Sequence, residues 1–210
     1  MRSGNPHSSS MVLAKLRHGM GHMLKWFIPV LVLLVCAEGS MARARPLSKA
    51  KQVEYKVKAA YIYNFLRFID FPHASLKKDA EQIQICLIGT DPFGRMIDPI
   101  ERHKAKGKAL KVVRAEDLQH LQRCSVVFVG RSGQWPLQQA LTTLRHSGIL
   151  TVSDQPRFAA QGGVIGFIIK RDKVRLQVNL DSARREGLKI SAKLLEIADI
   201  VRDSRSGGAP

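Results

Sequence analysis

The feature that most restricts what this chain can fold into is a series of short apolar runs alternating with longer mixed segments. "IQICLIG" (83–89), "ALKVVR" (109–114), "SVVFVG" (125–130), "GILTVS" (148–153), "VIGFIIK" (164–170) and "KVRLQVNL" (173–180) read as six strands. The first reads as a buried strand. The last two are joined by a short Arg171-Asp172 turn and are expected to form an antiparallel hairpin. Between the strands lie helical patterns. In "TDPFGRMIDPIERH" (90–103), Asp91 is a candidate N-cap, Pro92 suits the first helical position, and Pro99 ends or kinks the helix. "AEDLQHL" (115–121) predicts a short helix. "QWPLQQALTTLRH" (134–146) predicts a longer one, with Trp135, Leu137, Leu141 and Leu144 available for burial. A helix is expected over 53–72, with Val53, Val57, Tyr61, Phe65 and Phe68 at the helical period and Pro72 closing it. Another is expected over 189–203, striped by Ile190, Leu194, Ile197 and Val201. Strands alternating with helices indicate an α/β fold: a single-domain three-layer α/β/α sandwich with a mixed sheet of about six strands. The domain spans 53–203, between a flexible start (43–52) and a disordered tail (204–210).

Ahead of it, "MLKWFIPVLVLLVCAEGSMARA" (23–44) has a lysine-bearing start, an apolar run from Trp26 to Cys36, and small residues beyond. The run is shorter than the roughly 20 residues that a membrane span needs. Ser40 with Ala42, or Ala42 with Ala44, suits a signal-peptidase site. Residues 1–42 therefore read as a cleaved secretory signal with a long n-region; the alternative is an uncleaved anchor. Met11, Met20 and Met23 are candidate starts. Val35 stands before Cys36, where a lipoprotein would carry a small residue.

Export changes the meaning of the charge. The chain carries +17, which in the cytoplasm would point to nucleic acid. Cleavage after Ala42 removes four basic residues (Arg2, Lys15, Arg17, Lys25) and one acidic residue (Glu38), leaving about +14. Outside the cytoplasm the counterparts are an anionic membrane surface, a cell-wall polymer or an acidic protein face. The basic stretch "HKAKGKALK" (103–111) clusters Lys104, Lys106, Lys108 and Lys111 without interleaved aromatics for base stacking, so nucleic acid is not expected as a partner. Cys36 leaves with the signal. Cys86 and Cys124 remain as an even pair at two strands in an oxidising compartment, and a disulfide is expected over two buried thiols. Such a bridge would contribute roughly 3–4 kcal/mol.

Three strands end in polar loops: Gly89-Thr90-Asp91, Gly130-Arg131-Ser132-Gly133 and Ser153-Asp154. If the strands are parallel, the loops share the edge at which open α/β sheets bind ligands, and Arg131 beside helix N-termini would favour an anion. Gly89, Thr90, Asp91, Arg131, Ser132, Ser153 and Asp154 are therefore a candidate ligand pocket. The competing reading is that these are ordinary turn and cap residues. No G-x-x-x-x-G-K-[ST], G-x-G-x-x-G or G-x-S-x-G pattern occurs. His73, His103, His120 and His146 lack ligand spacing, so neither a metal nor a cofactor is expected. A hydrolase built on Asp154 or Ser132 has the least support, and the protein is expected not to be an enzyme. Gly162-Gly163 precedes a strand, whereas a dinucleotide loop leads into a helix. The pair reads as a tight turn or a close backbone approach.

"KAAYIYNFLRFIDFP", "ICLIGTDPFG", "CSVVFVG", "GILTVSD…FAAQGGVIGF" and "LQVNLDSARREGLKISAKLLEIADIV" resemble, in order, the motifs of the YfiR-like family of exported bacterial proteins, over about residues 53–202. The last block is the most specific, with Asn179, Ala183, Gly187, Leu188, Ile190, Ser191, Leu194 and Leu195 in the family's order. The resemblance implies a periplasmic α/β/α protein that forms homodimers. It implies a partner in the periplasmic portion of an inner-membrane diguanylate cyclase, or of another sensor, which the protein represses, lowering cyclic di-GMP and biofilm formation. An outer-membrane lipoprotein that sequesters the repressor is a further implied partner. Cys86 and Cys124 fall where the family can carry one redox-responsive pair; a second pair after the fourth strand is absent here. Expected partner contacts are Phe68, Phe71 and Pro72 after the first helix, and Arg157 and Phe158 in the loop 154–163. The alternative function is a periplasmic small-ligand binding module that uses the strand-end loops.

Overall fold

The computed structural model describes residues 47–72, 81–132 and 134–203. The expected signal (1–42), residues 43–46 of the flexible start and the 204–210 tail lie outside the described residues. The chain runs α1 (Lys49–Phe68), β1 (Ile69–Asp70), β2 (Gln82–Ile88), β3 (Lys104–Ala105), β4 (Lys108–Ala115), β5 (Val126–Val129), α2 (Leu137–Thr143), β6 (Leu150–Ser153), β7 (Ile165–Lys170), β8 (Lys173–Asn179), α3 (Leu180–Arg185), β9 (Lys189–Ile190), α4 (Ala192–Leu195) and β10 (Ala198–Val201).

Eight strands form one mixed sheet in the order β10-β8-β7-β6-β5-β2-β4-β3, and β1 pairs with β9 in a separate antiparallel pair. β4, β2, β5, β6 and β7 are parallel. The hairpin partner β8 runs against them, and β10 lies parallel to β8. All six expected strands are present; β3 and β10 enlarge the sheet at its two edges. The β7–β8 turn has φ of +52° at Arg171 and +56° at Asp172. Two left-handed residues give the turn a twist that matches the strands.

Alternation along the strands divides the core into two layers. Ile83, Ile85 and Leu87 of β2, with Val126 and Phe128 of β5, face α1 and meet Ile62, Phe65 and Leu66. Cys86 and Ile88, with Val127 and Val129, face the other way onto Ala140 and Leu144 around α2. Each fully buried aliphatic or aromatic side chain contributes about 2 kcal/mol.

Four expectations need correction. α1 begins at Lys49, capped by Ser48, whose Oγ accepts from the Lys51 N–H at 3.3 Å, so residues 49–52 are helical. Its buried stripe is Lys58, Ala59, Ile62, Phe65 and Leu66, while Val53 and Val57 are 61% and 39% exposed. The helix ends at Phe68 because the chain turns extended at Ile69 to pair with Ile190. Residues 90–103 form no α-helix, only two short 3-10 turns (Gly94–Met96 and Asp98–Arg102), since Gly94 and Pro99 interrupt the pattern. Residues 115–121 likewise yield only a 3-10 turn at His120–Arg123. The expected C-terminal helix over 189–203 is instead β9, one turn of α4, and β10, with Ile200 opposite Val178. Pairing with β8 outweighs a helical spacing that Ile197 and Val201 also satisfy.

Candidate binding cleft at the sheet edge

Because β2, β5 and β6 are parallel, their terminal loops do gather on one edge. Strand order reverses between β2 and β5, where open α/β sheets normally open a crevice. Here that crevice is closed by backbone. The Thr90 N–H donates to the Arg131 carbonyl at 2.7 Å, and the Gly130 N–H to the Ile88 carbonyl at 2.8 Å. A Cβ on Gly130 would lie 2.1 Å from the Thr90 carbonyl oxygen, so only glycine permits this approach. The open space lies instead between the sheet edge and α1. It is a cleft of about 450 Å³ bordered by Lys51, Glu54, Tyr55 and Lys58 of α1, by Thr90, Pro92, Gly130, Arg131, Asp154 and Pro156, and by Phe167, Ile168 and Ile169 of β7.

Lys58 organises the α1 side. It is 2% exposed, and its Nζ lies 2.6 Å from both Glu54 Oε1 and Asp154 Oδ2. Tyr55 donates its hydroxyl to the same Asp154 oxygen at 2.9 Å, and the Lys58 ammonium sits 4.3 Å from the Tyr55 ring centre. Lys51 closes the chain of charges with a 2.7 Å pair to Glu54. A buried ammonium needs this compensation: removing it from water costs several kcal/mol, which two carboxylates and a ring face offset. Burial, reinforced by the adjacent Asp154 carboxylate, pushes the Tyr55 phenol well above its ordinary range, so it remains a donor. Burial alone would raise the Glu54 carboxyl, but the hydrogen bonds from Lys51 and Lys58 outweigh it and hold the group below its usual value. The network ties α1 to the end of β6 across 96 residues of sequence.

Of the expected pocket residues, Thr90, Arg131 and Asp154 border the cleft. The other four serve the backbone. Gly89 takes φ +78° against the carbonyls of Gly130 and Arg131. Asp91 caps the following turn, accepting from the N–H groups of Phe93 and Gly94, and pairs with Arg114 at 2.9 Å. Ser132 Oγ accepts from the N–H groups of Gln134 and Trp135. Ser153 is fully buried and donates to the Val129 carbonyl at 2.6 Å. Ser132 is thus engaged as a cap and does not border the cleft, so it does not stand beside Asp154 there.

Among the expected partner contacts, Phe68 and Phe71 are half-buried against the main core, Pro72 is half-buried, and Arg157 is exposed. Phe158 is fully buried in the layer beneath α2 and does not reach the surface. The Gly162-Gly163 pair explains why. A Cβ on Gly163 would come within 2.1 Å of the Phe158 ring. The pair is a close approach that lets the loop fold its phenylalanine inward.

Cys86 on β2 and Cys124, just before β5, are bridged, with their Cα atoms 5.9 Å apart. In the basic stretch, Lys106 pairs with Asp70 and Lys111 with Glu101, so part of its charge is neutralised locally. No helix among the described residues is long and apolar enough to cross a membrane.

Sequence reasoning missed Lys51, Glu54, Tyr55 and Lys58. The available signal was the spacing itself: Glu54, Tyr55 and Lys58 stand at i, i+1 and i+4, on the side of the helix that also carries Ala59 and Ile62.

Two solved structures show partial likeness. The ABC domain in complex with L-Trp from Streptococcus pneumonia is 8% identical, with 72% of this chain and 60% of that chain covered and a TM-score of 0.46. A conserved domain protein from Vibrio cholerae O1 biovar eltor is 9% identical, with 70% and 59% covered and a TM-score of 0.48. The chain thus spans about 60% of the length of these solved chains. No curated protein matches it. The sequence pattern of the YfiR/HmsC-like family matches residues 55–199, from Tyr55 in α1 to Asp199 in β10, and the chain belongs to that family.

Proposed function

We propose that the protein is a non-enzymatic periplasmic regulator that binds the periplasmic portion of an inner-membrane signalling protein, a diguanylate cyclase, and holds it inactive. Family membership supports a regulatory rather than a catalytic role, in the periplasm and within cyclic di-GMP signalling. That membership is the observation that carries the reading, because the matched span takes in seven of the eight sheet strands whole, half of β10 and the larger part of α1. Repression of this kind requires only that the regulator bind the inactive arrangement of its partner more tightly than the active one. The conspicuous polar cluster agrees with it: Lys58, Glu54 and Asp154 satisfy one another and hold α1 in place. Half-buried Phe68, Phe71 and Pro72 and exposed Arg157 are the proposed partner contacts.

The test is intracellular cyclic di-GMP in a deletion strain, beside its parent and a complemented strain. A rise on deletion that complementation reverses is expected. Unchanged cyclic di-GMP, together with membrane crosslinking that recovers no signalling protein, would sink the proposal.

A further inference from the structure

The internal ion pairs of the cleft leave two groups unengaged. Arg131 is exposed on the β5 side, and its guanidinium makes no hydrogen bond or ion pair among the described residues. Asp154 uses Oδ2 for both Lys58 and Tyr55, while Oδ1 accepts nothing among the described residues. The bordering cations Lys51, Lys58 and Arg131 outnumber the carboxylates Glu54 and Asp154 by one, so the cleft carries a net positive charge. Beyond Tyr55, Thr90 and Gly130, its remaining wall is apolar. Pro92, Pro156 and Phe167 contribute, and Ile169 stands 50% exposed in the same lining. A volume of about 450 Å³ falls in the range of small-molecule sites.

The backbone narrows the class of ligand. A phosphate site of this fold type presents free N–H groups at the strand ends. Here the Thr90 and Gly130 amides are engaged by the Arg131 and Ile88 carbonyls. The Arg131 side chain is therefore the main anion group, and its single planar fork suits one carboxylate, whereas a polyphosphate needs further donors. A cationic ligand is disfavoured, because Lys58 already holds both carboxylates.

We propose that the cleft binds a small organic carboxylate with a flat apolar body and a hydroxyl group, its carboxylate on Arg131, its body against Pro92, Pro156 and Ile169, and its hydroxyl donating to Asp154 Oδ1. The site stands independently of the regulatory role proposed above, since it rests on the geometry of this chain alone. A ligand held there bridges α1, through Asp154 and Lys58, to the loop that follows β5.

The experiment is calorimetric titration of the purified protein with 4-hydroxybenzoate, benzoate and inorganic phosphate, alongside NMR shift mapping. Saturable binding is expected at millimolar concentration or tighter, strongest for 4-hydroxybenzoate, weaker for benzoate and weakest for phosphate. Shifts are expected to centre on Tyr55 and Ile169. Arg131→Gln, at an exposed position, is expected to keep the parent melting temperature and weaken 4-hydroxybenzoate about tenfold or more. No saturable binding of either carboxylate, equal binding by the Arg131→Gln variant, or phosphate binding as tightly as 4-hydroxybenzoate would each overturn the proposal. Because the readout is direct binding, these failures leave the cyclic di-GMP result untouched.

Discussion

Reducing the Cys86–Cys124 bridge is expected to remove a large share of the protein's stability without disturbing its packing. The bridge closes a loop with a sequence separation of 38 residues, which contains β3, β4 and the crossover from β2 to β5. The chain-entropy relation for a loop of that length gives about 4 kcal/mol at 25 °C, all of it through the unfolded state. Native stabilities are commonly only about 5–15 kcal/mol, so such a loss is easily seen. With a urea m-value near 2 kcal/mol/M, the midpoint is expected to fall by about 2 M on reduction. The melting temperature is expected to drop by roughly 8–16 °C for a domain of this size. Both sulfurs belong to buried residues, so reduction leaves two thiols in a filled layer rather than a cavity. A Cys86→Ala, Cys124→Ala double variant is therefore expected to lose at least as much as reduction, because side-chain volume goes as well. The assay is paired urea unfolding of oxidised protein, reduced protein and the double variant. Coincident midpoints for oxidised and reduced protein would refute the loop argument. So would two thiols that react with an alkylating agent in native protein before any reductant is added.

Lys58→Met is expected to destabilise by about 2–3 kcal/mol, below the full loss for a broken buried pair, because Glu54 keeps Lys51 and Asp154 keeps Tyr55. A urea midpoint equal to the parent's would contradict the compensation argument. The Glu54 carboxyl is held below its unfolded value of 4.5, so its contribution is present above that pH and is lost as pH falls through the lower folded value. Stability of the parent is expected to drop more steeply below about pH 4.5 than that of Lys58→Met; parallel profiles would show that Lys58 is not the cause. Gly130→Ala places a Cβ 2.1 Å from the Thr90 carbonyl oxygen, and a loss of roughly 3 kcal/mol or failure to fold is expected. A stable, soluble alanine variant would mean that the β2 and β5 loops separate easily and that the closed crevice is not a fixed feature.

What was legible in the sequence follows from which interactions are local. The six apolar runs became strands because a short apolar run and its flanking turn residues act within a few positions, and the Arg171-Asp172 hairpin is likewise set by neighbours. Asp91 caps as expected, but the helix it would start does not form, because Gly94 and Pro99 stand within its first turns. The C-terminal segment shows the limit. Ile190, Leu194, Ile197 and Val201 fit a helical stripe, yet 198–201 pairs with β8, an edge that exists only once the sheet has formed. Asn179 belongs to the same class. Its fully buried side chain caps α3 by accepting from the Ser182 N–H at 2.9 Å, and it donates to the Ala159 carbonyl. That makes one residue the corner between β8, α3 and the loop after β6, a role no spacing in the sequence reveals.

The cleft was half legible for the same reason. Parallel strands ending in Gly, Ser and Asp locate an edge, and Arg131 and Asp154 are found there. Lys58 was hidden because a lysine in a helix ordinarily faces water, and the stripe Val53–Val57–Tyr61 competes with the true one at Tyr55–Ala59–Ile62. Ile62, Phe65 and Leu66, all fully buried, decide between them, and Asp154, 96 residues away, supplies the charge that makes burial of Lys58 tolerable. Turning α1 to expose Lys58 and bury Val53 and Val57 would lift Ile62, Phe65 and Leu66 out of the core, at about 2 kcal/mol each. The rotation of α1 is thus set by its apolar stripe, and the ion pairs of Lys58 make the polar edge of that stripe tolerable beside the cleft.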